Sequence, residues 1–389
     1  MLGLRGATAL FGGLSVAIAG IAVACSVYDS SLLLPASSDS GGTPDVQEAG
    51  APDAREAEAA PPVCPEVFPP PAPSMDDPSD ASDQTFIVAL HTLNAGIGDA
   101  GVTGLGYDLD GVYTCCDGGP ESCKPAQPSA THCDTSEGRD DSAGLLLQSL
   151  ALVDSNAFNV NAVNDNLASG AYSVLLQVQH YNGTPNDTSV SVSLYASTGV
   201  TGDAGASWDG GDVWTINGAF ALNDSGVPIP NHFDSNAYVS GGTLVMKVDF
   251  PLTLGASGTG SFDINLSAGR ITGDIMSVGS GKYVLRGGQI VGRWHVGDLL
   301  FAIQALTVQG STVCPGSMAY QFVKSEVCKY ADIMTDPTQD LMGGTCDALS
   351  MGMGFTADPA LLGPITGTLT KDSLCYPEGG APDAEDTCQ

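Results

Sequence analysis

The octapeptide GYDLDGVY, residues 106–113, sets Asp108 and Asp110 two positions apart and follows them with Gly111. Alternate side chains of a turning loop can point at one ion, and the opening of an EF-hand-type calcium loop uses this spacing. The remainder of that pattern is absent: Tyr113 and Thr114 stand where further acids belong, and no glutamate occupies the twelfth position. A Ca2+ site here must therefore borrow oxygens, and SEGRDDSAG, with Glu137, Asp140 and Asp141, is the best source. The competing reading makes all five surface turn residues, because an aspartate side chain readily hydrogen-bonds its own backbone.

A second constellation is GDAGASWDGGDVW, residues 202–214, where Trp208 and Trp214 stand among Asp203, Asp209 and Asp212. An exposed indole can stack on a sugar ring while neighbouring carboxylates accept its hydroxyl hydrogen bonds. The alternative packs Trp214 inward at the start of a strand and lets Trp208 cover a loop.

Catalytic signatures do not emerge. His91, His132, His180, His232 and His295 lie in unrelated contexts, none in an HExxH pair. No serine sits in a GxSxG elbow, and the glycine-rich stretches lack a P-loop lysine. The sequence thus assigns no catalytic residue and favours a binding or structural module. An exported hydrolase acting on polysaccharide is the other reading, because two suitably spaced carboxylates are all that such chemistry requires.

The chain has eleven cysteines. Setting Cys25 aside leaves Cys64, Cys115, Cys116, Cys123, Cys133, Cys314, Cys328, Cys346, Cys375 and Cys388, an even number that reads as a disulfide framework in an exported protein. The group from Cys115 to Cys133 could instead hold zinc, but it contains no paired CxxC, and His132 is the single imidazole beside it. The connectivity is open, with the last five cysteines expected to tie down the carboxyl-terminal region.

The amino terminus agrees with export. Arg5 precedes an apolar run from Ala7 to Ala24, which has the form of a secretory signal peptide over residues 1–24. Ala22-Val23-Ala24-Cys25 resembles the lipobox of bacterial lipoproteins, with Ala22 where leucine is usual. That resemblance implies cleavage before Cys25, lipidation of its sulfur and acylation of the new amino group. Ser26 in place of aspartate implies sorting to the outer membrane or cell surface. Competing readings are an uncleaved membrane helix and a Cys25 that joins a disulfide. Residues 25–84 carry eleven of the 24 prolines, and Ser26–Gln84 holds twelve acids against the single base Arg55, a composition expected to form a disordered acidic tether.

Residues 85–389 hold 32 acids against 10 bases, which excludes nucleic acid as a natural partner, since phosphate binding needs clustered Lys and Arg. The expected partners are the membrane, through the anchor, and an envelope glycan or protein. Strands dominate the pattern. In VLLQVQHYNGTPNDTSVSVSLYA (174–196), Val174, Leu176 and Val178, then Val190, Val192 and Leu194, alternate with polar residues around Asn182-Gly183, which predicts a hairpin. Ala237–Ser240, Gly241-Gly242 and TLVMKVDF predict another. SFDINLS (261–267), KYVLR (282–286) and QIVGRW (289–294) read as further strands, and CDALSMGMGF (346–355) as a buried one. Two helices are expected, DLLFAIQAL capped by Asp298 and MAYQFVKSEVCKYADIM capped by Ser317, with Phe322, Val323 and Tyr330 on its apolar face. The fold class is mainly β: an antiparallel sandwich or barrel-like domain over 85–389, with a short helical, disulfide-linked carboxyl-terminal part.

GYDLDGVYTCC with its cysteine-rich sequel, GRDDSAG, VCKYADI and CDALSMGMGF together resemble a family of uncharacterised lipoproteins abundant in myxobacteria. The likeness covers most of 86–375 and implies location and domain extent without a mechanism.

Overall fold

Ten strands carry the architecture: β1 (Gln84–Asn94), β2 (Ser173–Tyr181), β3 (Asp187–Val200), β4 (Val213–Asn217), β5 (His232–Ser240), β6 (Thr243–Val248), β7 (Leu266–Gly279), β8 (Lys282–His295), β9 (Ala348–Pro359) and β10 (Leu361–Thr366). They belong to a computed structural model that describes residues 66–367, together with Cys375 and residues 386–388. Within 66–367 it omits 78–82, 99–100, 103, 116–118, 128–132, 136, 154–159, 203, 225, 250–251, 255–261, 306 and 309–310.

Eight of the strands close into an antiparallel barrel in the order β3-β2-β1-β9-β8-β7-β6-β5, with β5 returning to pair with β3. Closure removes both sheet edges. β3 is long enough to serve two neighbours. Its first part, Asp187 to Leu194, pairs with β5, and its end, Ser197 to Val200, pairs with β4. β10 then runs parallel to β4.

The period-two alternation read from the sequence sets the inner face. Val88 lies opposite Leu176, and Leu176 opposite Leu194. Elsewhere around the barrel Met246, Ile271, Ile290 and Met353 lie opposite one another in a second such row. All are buried in one continuous apolar core. Both expected hairpins form, Ser317 caps the helix over Met318–Tyr330 through a bond from the Tyr320 amide, and Leu349, Met351, Met353 and Phe355 are buried on β9.

Four helices complete the unit: α1 (Ser142–Val153), α2 (Val160–Ser169), α3 (Val296–Ala302) and α4 (Met318–Tyr330). α1, α3 and α4 meet the inward-facing Trp294, Met351 and Met353 around an apolar cavity of about 60 Å3. Among the described residues, no helix is long and apolar enough to cross a membrane.

Four disulfides are present among the described residues: Cys115–Cys133, Cys123–Cys346, Cys314–Cys375 and Cys328–Cys388. The zinc reading of the first group gives way to covalent bridges, and such bridges persist in an oxidising compartment outside the cytoplasm. Cys25, Cys64 and Cys116 lie outside the described residues.

Several expectations shift. The folded unit begins before residue 85. Val67 O accepts from the Asp108 amide, Pro70 O from the Tyr238 hydroxyl, and Asp76 and Asp77 from Thr188 and Asn186, which pin 66–77 to the barrel. KYVLR and QIVGRW are one strand, β8, whose pairing slips between Leu285 and Gly288. A bulge looks in sequence like a break because it locally resets the alternation. Asp298 lies inside the first turn of α3, and His295 occupies the cap position. α4 buries Tyr320, Val323, Val327 and Cys328, while Phe322 is exposed.

Candidate functional site

The outer wall of β8 and β9 carries Arg293, Ser350 and Gly352, residue types too polar or too small for a lipid or core face. Two chain segments cover it. From one side comes the stretch around Gly106 and Tyr107. A Cβ on Gly352 would stand 2.5 Å from the Gly106 nitrogen, so the strand must be bare there. The Gly106 amide donates to Gln289 Oε1 at 2.9 Å, and the Tyr107 hydroxyl meets Thr272 Oγ1 at 3.0 Å. From the other side comes the stretch around Asp332 to Asp347. Arg293, 1% exposed, binds both by donating to Leu109 O, Met334 O and the Asp340 carboxylate. The Cys123–Cys346 bridge joins the same two layers.

A cluster of carboxylates is caught between these segments and the barrel. One oxygen from each of Asp108, Asp110 and Asp140 lies within 4.8 Å of the others. Backbone amides set each of the three. Asp108 Oδ1 accepts from Gly111 N at 2.6 Å, Asp110 Oδ1 from Val112 N at 2.9 Å, and Asp140 Oδ2 from Leu109 N at 2.7 Å. Gly111 has φ of 76°, the left-handed conformation that lets the loop turn back on its own carboxylates. Asp108 is 4% exposed, and its Oδ2 is buried without a hydrogen-bond partner.

Asp134 and Asp332 stand beside this trio and were not among the sequence candidates. Asp134 Oδ2 accepts from Thr114 N at 2.8 Å. Asp332 accepts from Ser142 Oγ, Ser350 N and Ser350 Oγ at 2.7, 2.8 and 2.5 Å. A cavity of about 10 Å3, room for roughly one water, is lined by Asp110, Thr114, Glu121, Asp134, Asp332 and the Cys123–Cys346 bridge.

Burial and mutual repulsion mark the electrostatics. Desolvation pushes Asp108 up to about 6, helped by the neighbouring charges of Asp110 and Glu66. It takes Asp134 and Asp141 to about 7 and Asp332 to about 6. Asp110 is also raised, and Asp140 is driven well above the ordinary carboxylate range by burial and then by Asp110, Asp332 and Asp134.

Two of the five residues expected at a calcium site do not join it. Glu137 is exposed and pairs with Arg139 at 3.1 Å. Asp141 turns to the start of α1, where its Oδ1 accepts from Gly144 N and from Gly352 N. Asp141 reads in sequence as a ligand because the capping geometry it serves depends on β9, over 200 residues away. Asp332 gives no sequence signal beyond its place in KYADI. Asp134 had one, since it adjoins Cys133 in the cystine loop.

The tryptophan segment resolves into structural roles. Trp214 is 0% exposed. Asp212 accepts from Ser207 N, Ser207 Oγ and Trp208 N, fixing the turn, and Asp209 accepts from Gly211 N. Trp208 is half-buried and stacks on His91 at 3.9 Å with planes 7° apart. His91 Nδ1 in turn meets Asp358 Oδ2 at 2.6 Å, and Arg286 bonds the other oxygen of that carboxylate. Trp214 is thus closed off by burial, the Trp208 ring is taken by His91 and Asp212 by the turn, while Asp209 stays exposed. Asp203 and His132 lie outside the described residues. No protein-family profile, curated protein or solved structure matches this chain.

Proposed function

We propose that this protein is a lipid-anchored protein of the cell envelope whose barrel acts as a non-catalytic binding or structural module. The observation that carries the reading is Ala22-Val23-Ala24-Cys25 at the end of an apolar run, followed by a proline-rich acidic stretch. Acyl chains on Cys25 supply membrane affinity, each buried CH2 contributing about 0.8 kcal/mol. The disulfides support the exported compartment. The barrel supports a module that presents its wall and loops, since the described residues fill its interior with apolar side chains. The polarity of that barrel, apolar within and bearing Arg270, Asp274 and Lys247 without, is the reverse of a membrane-spanning barrel.

Metabolic labelling with a fatty acid tests the anchor. The wild type is expected to take up label and fractionate with membranes, whereas Cys25→Ser is expected to remain unprocessed and unlabelled. Equal labelling of the two forms would overturn the reading.

A further inference from the structure

We propose that Asp108, Asp110 and Asp140 bind one Ca2+ ion, and that the ion ties together the two ends of the cystine-linked segment 105–141, which covers the wall of the barrel. Three observations converge. The first is distance: opposite ligands around Ca2+ lie about 4.6–5.2 Å apart, so oxygens no more than this far from one another can share one ion. The three carboxylate oxygens here fall within 4.8 Å. The second is the orphaned Asp108 Oδ2. A buried anionic oxygen without a donor is costly, and a cation meets the need that no protein group does. The third is charge. The basic side chains closest to the cluster are engaged elsewhere, Arg293 with Asp340 and Arg139 with Glu137 and Gly106 O.

The ligand chemistry selects the ion. All three donors are carboxylate oxygens, which suit a hard cation, and neither a thiolate nor an imidazole contributes. Ca2+ accepts six to eight oxygens in flexible geometry, whereas Mg2+ demands a near-ideal octahedron and holds its waters. The small cavity beside Asp110 gives a water a place next to the site. Backbone amides hold each carboxylate before the ion arrives, so little ordering remains to be done on binding.

This tie also has a mechanical sense. Asp108 and Asp110 belong to the loop that lies on β8 and β9, and Asp140 immediately precedes the residues that begin α1. One ion joining them ties the two ends of the cystine segment together. The inference is independent of the lipid anchor, because a chain lacking acyl groups is expected to bind the ion equally well.

Isothermal titration of Ca2+ into chelator-stripped protein tests it directly. The expected result is one Ca2+ per chain, a melting temperature raised by several degrees in millimolar Ca2+, and a much smaller rise in equimolar Mg2+. Asp108→Asn with Asp110→Asn is expected to abolish both heat and shift, and Glu137→Gln to retain them. Hydrogen exchange on the wild type locates the ion without any variant, with added protection expected across 105–141. No binding heat, an equal response to Mg2+, protection confined to another region, or undiminished binding by the double variant would overturn the proposal.

Discussion

Asp134, Asp141 and Asp332 hold protons more tightly in the folded chain than in the unfolded one, and the sign of the consequence follows. Their folded values of about 6 to 7 stand above the ordinary 3.8, so the native state binds more protons across that interval. Stability therefore falls as pH rises through it. The charged groups facing them are Asp110, Asp140 and one another, and Asp110 in turn faces Asp340 and Arg293. Chelator-treated protein is expected to melt several degrees higher near about pH 5 than near about pH 8, and differential scanning calorimetry at the two values checks this. Asp134→Asn is expected to flatten the dependence, since the amide oxygen can keep the bond from Thr114 N without a charge.

Among the elements, β9 depends on what it lacks. Gly352→Ala would drive a methyl group against the backbone of Leu105 and Gly106, the nearest atom 2.5 Å away. The loop must lift or the strand must shift, at an expected cost of about 1–3 kcal/mol in urea denaturation. α4 offers a milder test. Ser317→Ala removes the oxygen that accepts from Tyr320 N and is expected to cost about 1 kcal/mol by the same measurement. These elements differ in how far their sequences disclosed them. The hairpin strands β2, β3, β5 and β6 alternate cleanly, and α4 has a cap residue followed by helical spacing, so local chemistry suffices. β1, α1 and α2 were not among the expectations. Ala89 faces a second small core outside the barrel, so β1 is buried on both faces and loses its alternation. In α1 the run GLLLQSLAL is apolar enough to suit either state, and its cap, Asp141, resembles a ligand.

For the whole molecule, the sequence supported an antiparallel sandwich or a barrel without choosing between them. The choice rests on two non-local pairings, β1 with β9 and β3 with β5, and neither leaves a trace in local pattern. The carboxylate site was half legible for the same reason. Asp108 and Asp110 sit close in sequence and Asp140 lies within the same cystine-rich stretch, whereas Asp332 arrives from the far end of the chain. The Cys123–Cys346 bridge fastens those distant regions and closes a separation of 223 residues. Replacing both cysteines with serine is expected to cost about 2–4 kcal/mol, read as a lower urea midpoint, and to weaken Ca2+ binding by loosening the wall beside Asp110.

That bridge also imposes an order on how the protein is made. During export the chain emerges amino terminus first, so Cys115, Cys116, Cys123 and Cys133 are all exposed together before Cys346 appears. Cys123 must remain reduced, or be released from a wrong neighbour, until almost the whole chain has crossed. The barrel cannot finish either, because β1 waits for β9. Oxidation by a simple donor of disulfides would trap Cys123 with its early companions, and the mature pairing calls for an enzyme that reshuffles bridges. In a cell lacking such an isomerase, the protein should accumulate as misbridged forms cleared by proteolysis, while a chain with Cys123 and Cys346 both changed to serine escapes that dependence.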